Sequence, residues 1–203
     1  MISMKYLLIS ILVFIGLRAE SQVAEKAEDI SPLLISEKVP SLPITSTEGY
    51  TALLTDIVAK KPTIILFYRG GWCPYCNEHL MEVARVEKEI LEQGFQLIGI
   101  SPDAPPELDK TVDKGDLNYE LFSDASGALM IAMGIAFKAP ERYTERLYRV
   151  SDEQNPGLLP VPSMFVVGTD GTVLFEYISP NYKQRITANL ILAVLNDLNQ
   201  QKG

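Results

Sequence analysis

The chain has 203 residues, 47% hydrophobic and 22% charged, enough apolar material for one sizeable core plus extra segments. A formal charge of −8 and a pI near 4.8 exclude a nucleic-acid surface, because phosphates would be repelled. The 2 cysteines, Cys73 and Cys76, form one tight pair that staples almost nothing, which favours chemistry over a disulfide framework.

Residues 1–21 read as a signal peptide. Lys5 supplies the positive start, 6–17 the apolar stretch, and Ala19-Glu20-Ser21 a small-x-small cleavage pattern. That stretch is well short of the roughly 20 residues a membrane span needs. The expected mature protein is exported, periplasmic or extracellular, with no stable membrane span. Residues 22–40 read as a loose lead-in with a short helix at 30–36, and 41–203 as one domain. Within it, 43–47 is an edge strand, Glu48-Gly49 a turn and 50–59 a short helix.

Residues 63–68, β-branched and aromatic without polar alternation, predict a strand buried on both faces. Arg69, Gly70 and Gly71 break it. From Pro74, apolar residues recur at helical spacing until Gly94 supplies a stop. Cys73 then sits at the helix N-terminus, with Pro74 where a missing N–H costs nothing. Free amides and the positive end of the dipole stabilise a thiolate there, while Cys76 lies one turn further inside. Cys73 is the expected nucleophile and Cys76 the resolving thiol. The alternatives are half of a zinc site or two inert thiols. Zinc needs four ligands, and the sole histidine, His79, is the only other strong soft-metal ligand, so neither a metal nor a cofactor is expected.

Further along, 95–101 predicts a second buried strand joined by a parallel crossover, 106–114 a helix, 119–124 a strand and 125–137 an apolar helix. Residues 140–150 predict a helix with Tyr143, Leu147 and Val150 on one side. Its arginines, Arg142, Arg146 and Arg149, read as a solvated face ahead of any specific contact. Residues 164–167 and 172–178 form a hairpin about Thr169-Asp170-Gly171, and 182–199 a closing helix.

The run Phe67-Tyr68-Arg69-Gly70-Gly71-Trp72-Cys73-Pro74-Tyr75-Cys76 resembles the thioredoxin-like superfamily, and more closely its redoxin branch, which holds the alkyl hydroperoxide reductase and thiol-specific antioxidant proteins. The resemblance implies an α/β fold with a central mixed sheet flanked by helices. It likens Pro162, just ahead of a buried strand, to a cis-proline loop in which Val161 and Pro162 face the cysteines and dock substrate. Trp72, Pro74 and Tyr75 are the remaining expected contacts, with Arg69 auxiliary.

Expected substrates are protein thiols and disulfides, or small thiols and peroxides, served by a redox partner protein. General thiol–disulfide exchange ranks first. Peroxidases of this branch carry a proline and a threonine before the attacking cysteine and an arginine where this chain has Pro162, and the loop 69–72 has neither proline nor threonine. A metal-handling role ranks third.

Overall fold

The apolar run forms β3 (Thr63–Phe67), buried along its whole length at the centre of the sheet. In this computed structural model, which describes residues 23–201, β3 pairs in parallel with β4 (Gln96–Ser101) and antiparallel with β8 (Ser163–Val167). β5 (Glu120–Ser123) continues the parallel part beyond β4, and β9 (Val173–Ile178) forms one edge beside β8. β1 (Pro43–Ser46) and β2 (Thr51–Leu53) form the other. The order β2-β1-β5-β4-β3-β8-β9 is the expected mixed sheet. The predicted signal peptide lies outside the described residues. No helix among those described is long and apolar enough to cross a membrane.

Alternation along β3 divides the core between the two faces. Ile64, Leu66 and Tyr68 pack with the buried sides of α2 (Pro74–Ala84), α3 (Glu87–Glu92), α4 (Pro105–Gly115) and α7 (Ala188–Gln200). Ile65 and Phe67 pack with those of α1 (Leu54–Val58) and α5 (Ala128–Ala132). The strand therefore delivers Cys73 from between two filled layers.

Several predicted elements are redrawn. Gly49, at φ +83°, turns the chain back so that Thr51–Leu53 pairs with β1, and only Leu54–Val58 of the predicted helix 50–59 is helical. The long helix breaks after Ala84, where the Val86 amide donates to Val83 in a tight turn. Val83 and Ile90 both stay buried, and neither Gly nor Pro marks the break. Gly94 ends the second half at φ +89°. Gly134, at φ +70° and pressed against the Ser31 carbonyl, cuts the helix 125–137 short. The chain there becomes β6 (Ala136–Lys138), paired with β7 (Leu158–Pro160), strands absent from the sequence reading.

Residues 140–150 divide into a 3-10 turn, Glu141–Tyr143, and α6 (Thr144–Val150). The closing helix begins at Ala188, where Thr187 Oγ1 accepts the Leu190 amide at 3.3 Å, leaving 182–187 as a loop. The lead-in is not loose and carries no helix at 30–36: Ala24 bridges to Phe137, Lys38 to Thr172, and Val39 is buried.

Candidate active site

Cys73 is the N-cap of α2. Its carbonyl accepts the Cys76 and Asn77 amides at 3.0 and 3.1 Å, and Pro74 occupies the first helical turn. The residue is buried. Its thiol is nonetheless drawn down to about 6. The Cys76 thiol stabilises the thiolate most; the Cys76 amide, Arg69 and Arg185 add to it against the opposing effect of burial. Cys76 moves the other way: burial, then the adjoining Cys73 sulfur, push its thiol well above its ordinary value. At neutral pH one sulfur is a nucleophile and its neighbour keeps its proton.

Two guanidinium groups surround this pair. Arg69 is only 4% exposed and makes no ion pair among the described residues, and its Nε has no hydrogen-bond partner. Its Cζ lies 4.4, 4.8 and 5.2 Å from the ring centres of Tyr182, Tyr143 and Trp72. Arg185 donates from Nη2 to Cys76 Sγ at 3.6 Å. Arg142, Arg146 and Arg149 are exposed, as the solvated-face reading expects, and Arg142 and Arg146 in addition lie over the Tyr143 and Trp72 rings at 4.8 and 5.2 Å.

The other expected residues divide. Trp72 is half-buried, 5.3 Å from the Tyr143 ring, and Tyr75 is exposed with its ring edge-on to Tyr182 at 5.7 Å. Pro74 is exposed beside them. The cis-proline expectation is corrected: no peptide among the described residues is cis, so Val161–Pro162 is trans. Val161 donates its N–H to Ile135 at 2.8 Å, and its carbonyl accepts from Ser163 Oγ at 2.6 Å, so neither is open to a docked thiol. Pro162 lines a cavity of ≈ 490 Å³ with Arg69, Phe137, Arg142, Tyr143 and Tyr182. His79 is buried. Its Nε2 lies 2.9 Å from the Ile186 carbonyl, and burial lowers its pKa to about 4, leaving it neutral.

Sequence reasoning missed Arg185 and Tyr182 because it placed both in a helix. The available signal was Thr187, a good N-cap residue ahead of the apolar repeat.

A family model described as AhpC/TSA family matches residues 35–175. Among curated proteins, the putative peroxiredoxin bcp of Haemophilus influenzae is 27% identical over 106 residues, 52% of this chain and 68% of that protein. Peroxiredoxin Bcp of Escherichia coli K12 is 24% identical over 106 residues, 52% and 67% of the two chains. Among solved structures, peroxidoxin BcpB from Mycobacterium tuberculosis superposes with a TM-score of 0.64 at 22% identity, covering 81% of this chain and 97% of that one. Reduced Prx3 from Vibrio vulnificus, in complex with hydrogen peroxide, gives 0.69 at 14% identity, covering 81% and 96%. At these identities the likeness is one of fold, and that fold is the thioredoxin-like one expected.

Proposed function

The chain belongs to the AhpC/TSA family and is an oxidoreductase, and on that premise we propose that it is a thiol-dependent peroxidase. One observation carries the proposal: a sulfur drawn down to about 6 at a helix N-terminus, beside a buried guanidinium with no carboxylate partner among the described residues. The relatives' names support it, and we therefore place peroxide reduction ahead of general disulfide exchange.

The Cys73 thiolate attacks the terminal oxygen of a hydroperoxide ROOH. The O–O bond breaks, the sulfur is oxidised to sulfenic acid, and the departing alkoxide takes a proton to leave as ROH. Arg69 and Arg185 favour both the thiolate and the developing alkoxide, standing in for the absent loop threonine. Cys76 then attacks the sulfenic sulfur; the S–S bond forms, and the hydroxyl leaves as water with the Cys76 proton. A dithiol partner protein returns two electrons and two protons, restoring both thiols.

The test is consumption of hydrogen peroxide and cumene hydroperoxide by the reduced protein. Cys73→Ser is expected to abolish it, and Cys76→Ser to permit one turnover ending in a dimedone-trappable sulfenic acid. Peroxide consumed no faster than by free cysteine, alongside reduction of insulin disulfides, would establish thiol–disulfide exchange instead. That second reading is favoured by the exposed Tyr75 next to the cysteine pair. Export is also proposed, from Lys5, the apolar stretch and Ala19-Glu20-Ser21. N-terminal sequencing of the protein from fractionated host cells should find residue 22 first, and an intact Met1 in the cytoplasm refutes it.

A further inference from the structure

Behind the Cys73 loop lies a buried carboxylate that no step above uses. Asp103 follows β4, precedes α4 and is 1% exposed. Its Oδ2 accepts the Gly71 amide at 2.7 Å, while its Oδ1 is buried without a hydrogen-bond partner among the described residues. The Trp72 indole Nε1 is likewise buried with no partner among the described residues. A Cβ on Gly70 would collide with the indole nitrogen and lie 2.7 Å from Asp103 Oδ1, so a free donor and a free acceptor flank the same glycine. Gly70 itself sits at φ +134°, a conformation that only glycine adopts readily. On its other side, Gly71 is pressed against Thr111 of α4. Gly70 and Gly71, immediately before Trp72, are thus packed between the indole, Asp103 and Thr111.

We propose that Asp103 is a positioning residue for Cys73: its carboxylate clamps the Gly71 N–H, fixes the loop 70–72 that aims the sulfur, and does so fully only when ionised. A hydrogen bond to a charged acceptor is roughly twice as strong as a neutral one, so protonation loosens the clamp. The Gly71 amide donates to the carboxyl, and Tyr68, just past β3, and Glu107 in α4 interact with it electrostatically; Ser101 Oγ accepts the Asp103 backbone amide instead. None is a cation. Burial pushes the carboxyl up to about 7, Glu107 pushes the same way and the Gly71 amide opposes both, so the clamp loosens across the neutral range as pH falls. Cys73 is drawn down by Cys76, Arg69 and Arg185, so Asp103 acts on the sulfur through the loop rather than through its charge.

This rests on Cys73 being the attacking sulfur, as proposed above. In the reduced full chain, ultraviolet absorbance gives the thiolate fraction against pH, and rate constants are measured with iodoacetamide and with hydrogen peroxide. For the unaltered protein, rate per thiolate should rise about tenfold between about pH 6 and 8, since small misplacements of a reacting group cost this much or more. Asp103→Asn, which keeps an acceptor but cannot ionise, should give a flat profile. Asp103→Ala should be flat and about tenfold below the unaltered plateau, with the Cys73 titration unmoved. A flat profile in the unaltered protein, a rise retained in Asp103→Asn, or an alanine defect fully explained by a shifted Cys73 titration overturns the proposal. If Asp103→Ala does not fold, the Asn profile decides. A rise seen with iodoacetamide but no reaction with peroxide sinks the peroxidase reading and leaves the role of Asp103 standing.

Discussion

Replacing Cys76 by alanine removes the largest influence drawing the Cys73 thiol down to about 6. A hydrogen bond to a charged group contributes about 1.5–3 kcal/mol. At about 1.4 kcal/mol per decade, its loss moves the Cys73 midpoint up by about one to two pH units. At pH 6 the unaltered sulfur is about half ionised and the variant's only about 1–10%, so alkylation by iodoacetamide slows about five- to fifty-fold there. The two proteins converge above about pH 9, where Cys73 is ionised in each. Cys76→Ser still offers a donor and should fall between them. Thiolate absorbance and alkylation rates against pH read the same midpoint independently. An unchanged midpoint in Cys76→Ala would refute the assignment and leave the helix amide and the two arginines as the whole cause.

Arg185→Met takes away the donor to Cys76 and a cation near both sulfurs; alkylation of Cys73 at about pH 6 should slow about two- to five-fold, less than in Cys76→Ala because Arg185 is the smallest of its influences. No slowing at all rules Arg185 out. Asp124 accepts the Leu129 and Met130 amides at 3.0 and 2.8 Å, and burial pushes its carboxyl up to about 6. The folded chain therefore keeps a proton that the unfolded chain releases above about pH 4, so this group's stabilisation is complete in acid and is lost as pH rises toward 6. Asp124→Asn should flatten that part of the pH dependence of urea midpoints, and an identical slope in the variant contradicts it. Gly71→Ala drives a methyl into Thr111 Oγ1; slower Cys73 alkylation is expected, recovered in part by adding Thr111→Ala, and failure of that rescue places the clash elsewhere.

The central strand, the cysteines at a helix start and the closing hairpin were legible because each rests on a short local pattern: an unbroken apolar run, a proline after Cys73, an Asp-Gly turn. What escaped was decided by distant partners. Arg69 reads as an ordinary loop cation until Tyr143 and Tyr182 close around it. Asp103 carries no signal until the end of β4 is seen to meet Gly71. Gly134 was a readable stop, passed over because the apolar residues on both sides fit a helical period. Pro162 was assigned from resemblance alone, and the resemblance carried a cis bond that the backbone lacks.

Trp72 is the single tryptophan of the chain, adjoins Cys73, and lies between the Tyr143 ring and the Arg69 and Arg146 guanidinium groups. Its emission therefore originates entirely from the reacting corner, with two cations, an aromatic ring and the adjoining Cys73 set close around it. Oxidation and reduction of the sulfur pair should change that light without any label, so each half of a catalytic cycle can be timed by stopped-flow fluorescence in the unmodified protein.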